Sequence, residues 1–177
     1  PMAARRSKRI FVLLGATALL AAMGAGGYAW RQSQLDSAAR ASRDAGRAAF
    51  EERDWSKAMD GLGRFIGRLS EQATAEDWAL YARSRRNVPL PESKHVGAAI
   101  RAMRRAFELD PTNLAVGREL VEMYVDAGLG TEALQTADEV LTHAPDDLEI
   151  LRHQLAVHAA LRQFKEALPV SKRINRL

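Results

Sequence analysis

The 177-residue chain carries 26 lysines and arginines against 22 acids, and it has no cysteine. The missing cysteines exclude disulfide frameworks, thiolate zinc sites and cysteine nucleophiles. Arg5, Arg6, Lys8, Arg9 and Arg31 all precede the first acid, so 21 basic residues face 22 acidic ones beyond residue 31. That nearly neutral body lacks the positive surface with which nucleic-acid binders displace phosphate counterions, and no nucleic-acid partner is expected.

Residues 1–9 form a basic flank. Ile10 to Trp30 follows as 21 residues without a charge. At about 1.5 Å of rise per residue such a helix reaches roughly 30 Å, enough to cross a hydrocarbon core. Tyr28 and Trp30 close its far end, where amphipathic rings favour a membrane interface, and the four leading cations hold the start on the cytoplasmic side. The expectation is a transmembrane helix over 10–30, with the repeat region exported beyond an inner membrane. The competing reading is a cleavable signal peptide, with Ala22 and Gly24 as the small residues of the cleavage site and a secreted product. A short linker, 31–38, would follow.

Beyond it the sequence repeats with a period of 34. Pro111 and Pro145 are so spaced, as are Ala99, Ala133 and Ala167. Each proline follows a run of helical periodicity. The stretch AFELDPTN, Ala106–Asn113, together with this period, resembles the tetratricopeptide repeat family, whose motif places aromatic, small and proline residues at these offsets. The resemblance implies an all-α fold: the transmembrane helix, then a solenoid of about four helix–turn–helix repeats over 39–177, in units 39–72, 75–113, 114–147 and 148–177. In the third unit Leu120, Val121 and Tyr124 fill the first helix's packing positions, Gly128 and Gly130 flank the turn, and Ala133 and Ala137 make the close helix contact. Trp55, Trp78, Tyr81 and Phe164 are likewise read as core. In unit two, Asn87–Ser93 holds two prolines and cannot continue a helix, which lengthens the turn, and Arg85 takes a place ordinarily apolar. The fourth unit carries Pro169 in its second helix and stops inside it without a polar cap. With Pro1 ahead of Met2, the chain reads as the front piece of a longer protein.

The sequence offers no catalytic arrangement. His153 and His158 are five apart and so lie on different helix faces, unlike the i,i+4 pair of a zinc helix, and Gly24–Gly27 lies in the apolar stretch and not in a phosphate loop. No cofactor, metal or enzymatic activity is expected. The resemblance implies a non-catalytic scaffold that binds a protein or peptide in a groove lined by the first helices. The groove positions hold Arg40, Arg43 and Arg47 in unit one, Arg83 and Arg86 in unit two, Arg118 in unit three and Arg152 in unit four. Arg43, Arg118 and Arg152 share repeat position 5. Cations gathered on one face favour an acidic peptide, because guanidinium holds carboxylate by paired hydrogen bonds. The alternative for these arginines is solvated surface, or pairing with acids such as Asp44, Glu119 and Glu122. The family's clamp for chaperone tails also needs groove asparagines, and Arg47, Arg83, Glu122 and Ala156 stand there instead. An alternative role is the partner-binding front end of a larger envelope enzyme or assembly factor.

Overall fold

The computed structural model describes the backbone of residues 2–89 and 94–177, and the side chains of 23–89 and 95–177. Eight α-helices, with no strand among the described residues, run in chain order: α1 Met2–Glu51, α2 Trp55–Leu69, α3 Ala75–Arg86, α4 Lys94–Leu109, α5 Leu114–Asp126, α6 Gly130–His143, α7 Leu148–Ala160 and α8 Phe164–Ile174. A short 3-10 turn, Ser70–Gln72, follows α2.

The chain divides into two compact units, residues 1–41 and 42–177. In the first, residues 2–41 are helical throughout, including 31–38, expected as a linker. The side chains of the basic flank 1–9 and of positions 10–22 of the apolar stretch lie outside the described residues. Among those described, no helix is long and apolar enough to cross a membrane.

The second unit is a stack of helical hairpins. The last turns of α1, from Ser42 on, pair with α2, and α3–α4, α5–α6 and α7–α8 follow, each hairpin packing on the next. The first helix of each pair is called the A helix below. Small residues set the spacing. Ala58, Ala82, Ala99, Ala106, Ala133 and Ala137 are buried where helices cross, as the period predicts. At the α1–α2 crossing, contact is closer still: a Cβ on Gly61 would stand 2.7 Å from the Ser42 carbonyl oxygen and 2.8 Å from Gly46 Cα. Around these contacts Leu62, Phe65, Met103, Leu120, Val121, Tyr124, Val140, Ile150 and Leu151 are buried. Burying each large side chain contributes about 1.5–3 kcal/mol.

Helix starts follow local chemistry. Asp54, Thr74, Asn113 and Asp147 accept backbone N–H groups at the first turns of α2, α3, α5 and α7. Such a cap satisfies a donor that the helix leaves orphaned. Three hairpins share one turn: three residues with the middle one left-handed, namely Arg53 (φ 60°), Gly128 (φ 72°) and Arg162 (φ 57°). Only the third unit places glycine there, where it costs least. In unit two the turn is longer, as its prolines require, and residues 90–93 lie outside the described residues.

Two aromatic placements differ from expectation. Phe164 is 67 % exposed at the start of α8, and Trp55 is half-buried, edge-on to Phe50 with ring centroids 5.3 Å apart. Both rings open a helix just after a turn, where only one side meets a neighbour. Pro169 sits inside α8, which continues past it to Ile174.

Candidate functional site

The A-helix arginines form a ladder whose rungs join successive hairpins. Arg43 Nε lies 2.7 Å from Asp77 Oδ1, and Arg47 reaches the same oxygen through Nε (3.0 Å) and Nη2 (2.8 Å). Asp77 is fully buried, and its other oxygen, Oδ2, accepts the backbone N–H and the hydroxyl of Thr74. The Thr74 hydroxyl in turn accepts the Asp77 N–H, which completes a capping box for α3. Burial would raise the Asp77 carboxyl. The bonds from Arg43, the Thr74 backbone, Arg47 and the Thr74 hydroxyl together outweigh it and hold the group below its ordinary value. Arg43 also lies over Phe65, with 5.0 Å from Cζ to the ring centroid.

Further along, Arg83 donates through Nε to Glu119 Oε2 at 2.8 Å, while Arg86 and Glu122 stand 3.9 Å apart and are both exposed. Arg118 Nε bonds Asp147 Oδ2 at 2.7 Å, where Asp147 Oδ1 caps α7. The glutamates named above as candidate partners are thus engaged, and Asp44 stands exposed outside these pairs. Arg152 is exposed, with no acid of the described residues within ion-pair distance. Arg40, also exposed, belongs to the first unit.

The six groove arginines of the second compact unit therefore do not form one open cationic surface. Arg43, Arg47 and Arg118 are tied to carboxylates that are almost wholly buried, because each carboxylate must find a cation once the next hairpin covers it. This corrects the expectation that Arg43, Arg118 and Arg152 face a ligand together: only Arg152 is open. Asp77 and Asp147 escaped notice in the sequence. Their signal is the capping pattern, Thr74-x-x-Asp77 in one case and an aspartate just ahead of an apolar helix in the other.

Beside the looser rungs lies an open cavity of about 290 Å³, lined by Phe50, Trp55, Arg83, Arg86, Asn87, Glu119 and Glu122. The Phe50–Trp55 edge contact gives it an aromatic wall. Arg86 and Glu122 are free to exchange their long contact for a ligand's, and Arg83 stays anchored by Glu119. The cavity can accept an apolar or aromatic side chain flanked by polar groups of either sign. Arg85, in the ordinarily apolar place, is half-buried, and its Nη1 lies 3.4 Å from the Tyr81 hydroxyl and 3.7 Å from Met59 Sδ. The described residues contain no cluster of metal-ligating side chains, and His158 Nδ1 pairs with Gln163 Oε1 at 2.8 Å.

Stacked helical hairpins of about 34 residues with small residues at their crossings define a tetratricopeptide-type solenoid. Residues 92–161 match the family model described as tetratricopeptide repeat. Solved structures of the same fold include a crystal structure of MamA (TM-score 0.62, 15 % identity, covering 78 % of this chain and 77 % of that one). Another is YrrB, described as a TPR protein with an unusual peptide-binding site (TM-score 0.62, 17 % identity, 78 % and 68 % covered). The Arabidopsis OM64 TPR domain is a third (TM-score 0.52, 16 % identity, 71 % and 98 % covered). No curated protein sequence matches the chain.

Proposed function

We propose that this chain is a non-catalytic adaptor that holds a protein or peptide partner against its A helices, with the cavity at Phe50, Trp55, Arg86 and Glu122 as the contact point. The observation that carries this reading is that the cavity joins an aromatic wall to a loose, exposed ion pair, whereas Arg43 and Arg47 are already committed to the buried Asp77. The peptide-binding description of YrrB supports the class of partner. An acidic segment is one fit, through Arg86, although Glu122 beside it favours a ligand of mixed charge.

The reading includes a tether. The uncharged stretch 10–30, with cations before it, favours a single-pass inner-membrane protein whose repeats are exported. The chain is then expected to stay with membranes through high-salt and carbonate washing, and a soluble mature product beginning near Ala25 would contradict the tether. For the binding face, a photo-crosslinking residue at Asn87 should capture a discrete partner, while the same residue at exposed Arg105 on α4 should not. Equal products from both positions would contradict the proposed face.

A further inference from the structure

A second cavity, of about 110 Å³, opens between α4 and α6, the second helices of their hairpins, with α5 beneath. Phe107, Leu120, Tyr124 and Thr136, all buried, form its floor. On α5, Leu120 and Tyr124 are four apart and face this cavity, whereas Glu119 and Glu122 line the cavity at Phe50 and Trp55. The two cavities therefore lie on different faces of one helix.

Charge in this second cavity is unbalanced. On the α4 side, Arg104 reaches the Tyr124 hydroxyl and lies 3.4 Å from Glu108 Oε1, while Glu108 Oε2 lies 3.3 Å from Arg105. On the α6 side stand Glu132 and Glu139, on a helix without lysine or arginine. Glu132 is half-buried, and no cation of the described residues lies within ion-pair distance of either glutamate. A carboxylate drawn partly out of water gains from a cation. Thr136 stands between the two, four residues after Glu132 and three before Glu139, so all three share a helix face. It is only 7 % exposed, and its hydroxyl makes no hydrogen bond among the described residues. Thr142 and Ser84, by contrast, donate to the carbonyl four residues earlier. A buried hydroxyl without a partner costs free energy that a donor entering the cavity restores.

We infer that this cavity is a docking site for a lysine side chain presented by a protein partner. The apolar stem lies along Phe107 and Leu120. Its ammonium donates to the Thr136 hydroxyl, with Glu132 one helical turn to one side and Glu139 one turn to the other. An ammonium carries three donors on a compact centre and suits acceptors spread around a point, whereas a guanidinium is planar and needs a coplanar pair. Gln135 is exposed at the mouth, with only a 3.5 Å contact to Glu139, and offers an amide donor and acceptor to the backbone that carries the lysine. The site does not depend on the A-helix cavity.

Three small probes test it: N-acetyl-lysine methylamide, N-acetyl-norleucine methylamide and n-butylamine, each titrated into the isotope-labelled full chain and followed by backbone amide shifts in NMR. The lysine amide is expected to bind saturably in the millimolar range and to shift the amides of Leu120, Glu132 and Thr136. The norleucine amide, with nearly the same stem and no charge, should leave them in place. Butylamine should bind more weakly than the lysine amide, because it has no backbone for Gln135 to meet. Glu132→Gln and Thr136→Val, each close in shape to the residue replaced, should melt with the parent and weaken the lysine amide about tenfold and about threefold. Crosslinking from position 87 should be unaffected by either. No saturable shift with the lysine amide, equal binding of norleucine amide or butylamine, shifts confined to other faces, or unchanged affinity in either variant overturns the inference.

Discussion

The junction between the first and second hairpins and the one between the second and third use the same residue types to different ends. At the first, Arg43 and Arg47 converge on a carboxylate with no solvent exposure. At the second, Arg83 and Arg86 face Glu119 and Glu122, which keep contact with water, and the outer pair is stretched to 3.9 Å. The difference lies in the acid. Asp77 is short and sits within the first turn of α3, so packing seals it and makes its cations indispensable. The longer glutamates of α5 reach out from mid-helix and remain exchangeable. An arginine in an A helix is thus structural or available according to the burial of the group it meets, and its repeat position alone does not decide.

The largest expected effect breaks the first junction. Asp77→Ala removes the buried acceptor that Arg43 and Arg47 share and half of the α3 capping box, and should cost about 2–3 kcal/mol, whereas Glu122→Ala should change stability by about 0.5 kcal/mol or less. Chemical denaturation of the two variants checks this contrast, and equal midpoints would erase it. The same carboxyl has a depressed pKa in the folded state, so its contribution is complete above the unfolded value near 3.9 and is lost as pH falls through the folded value. Acid titration of folding should show this loss below about pH 4, and Asp77→Asn should remove that part of the slope.

A packing contrast comes next and sharpens the reading by separating charge from volume. Ala133 is buried at the α5–α6 contact, and Ala127 is exposed at the end of α5. Ala133→Trp should cost ~1–3 kcal/mol or more through overpacking, and Ala127→Trp little, as read by thermal melting. Equal melting temperatures would mean that the repeat register is wrong.

Much of this arrangement was legible in the sequence. The period of 34 located the hairpins because the small residues that permit close helix contact must recur with the period; Ala99, Ala133 and Ala167 are all buried. The turn of the third unit was readable because Gly128 adopts the left-handed conformation, whereas Arg53 and Arg162 take the same conformation with no residue-type signal. The fate of the arginines was not readable. Spacing puts Arg43, Arg118 and Arg152 on equivalent positions, but whether each meets a buried acid depends on the cap of the next hairpin, a tertiary relation. Repeat position alone predicts core places for Trp55 and Phe164, and their places just after turns leave them partly or largely uncovered.

The turns offer the smallest test. Arg53→Gly and Arg162→Gly should each gain about 0.5–1 kcal/mol by removing left-handed strain, and Gly128→Ala should lose about 1 kcal/mol. Opposite signs in differential scanning calorimetry would show that the three turns are not equivalent.

The division of the arginines between fold and binding is tested most directly by comparing Arg47→Glu with Arg86→Glu, reading melting temperature and crosslinking from position 87 on the same samples. Arg47→Glu sets a carboxylate against buried Asp77 and should lower the melting temperature by about 10 °C, the equivalent of ~3 kcal/mol. Arg86→Glu should melt with the parent and lose the crosslinked partner. If Arg47→Glu melts with the parent, or Arg86→Glu keeps the full partner yield, the two junctions do not differ in the way described.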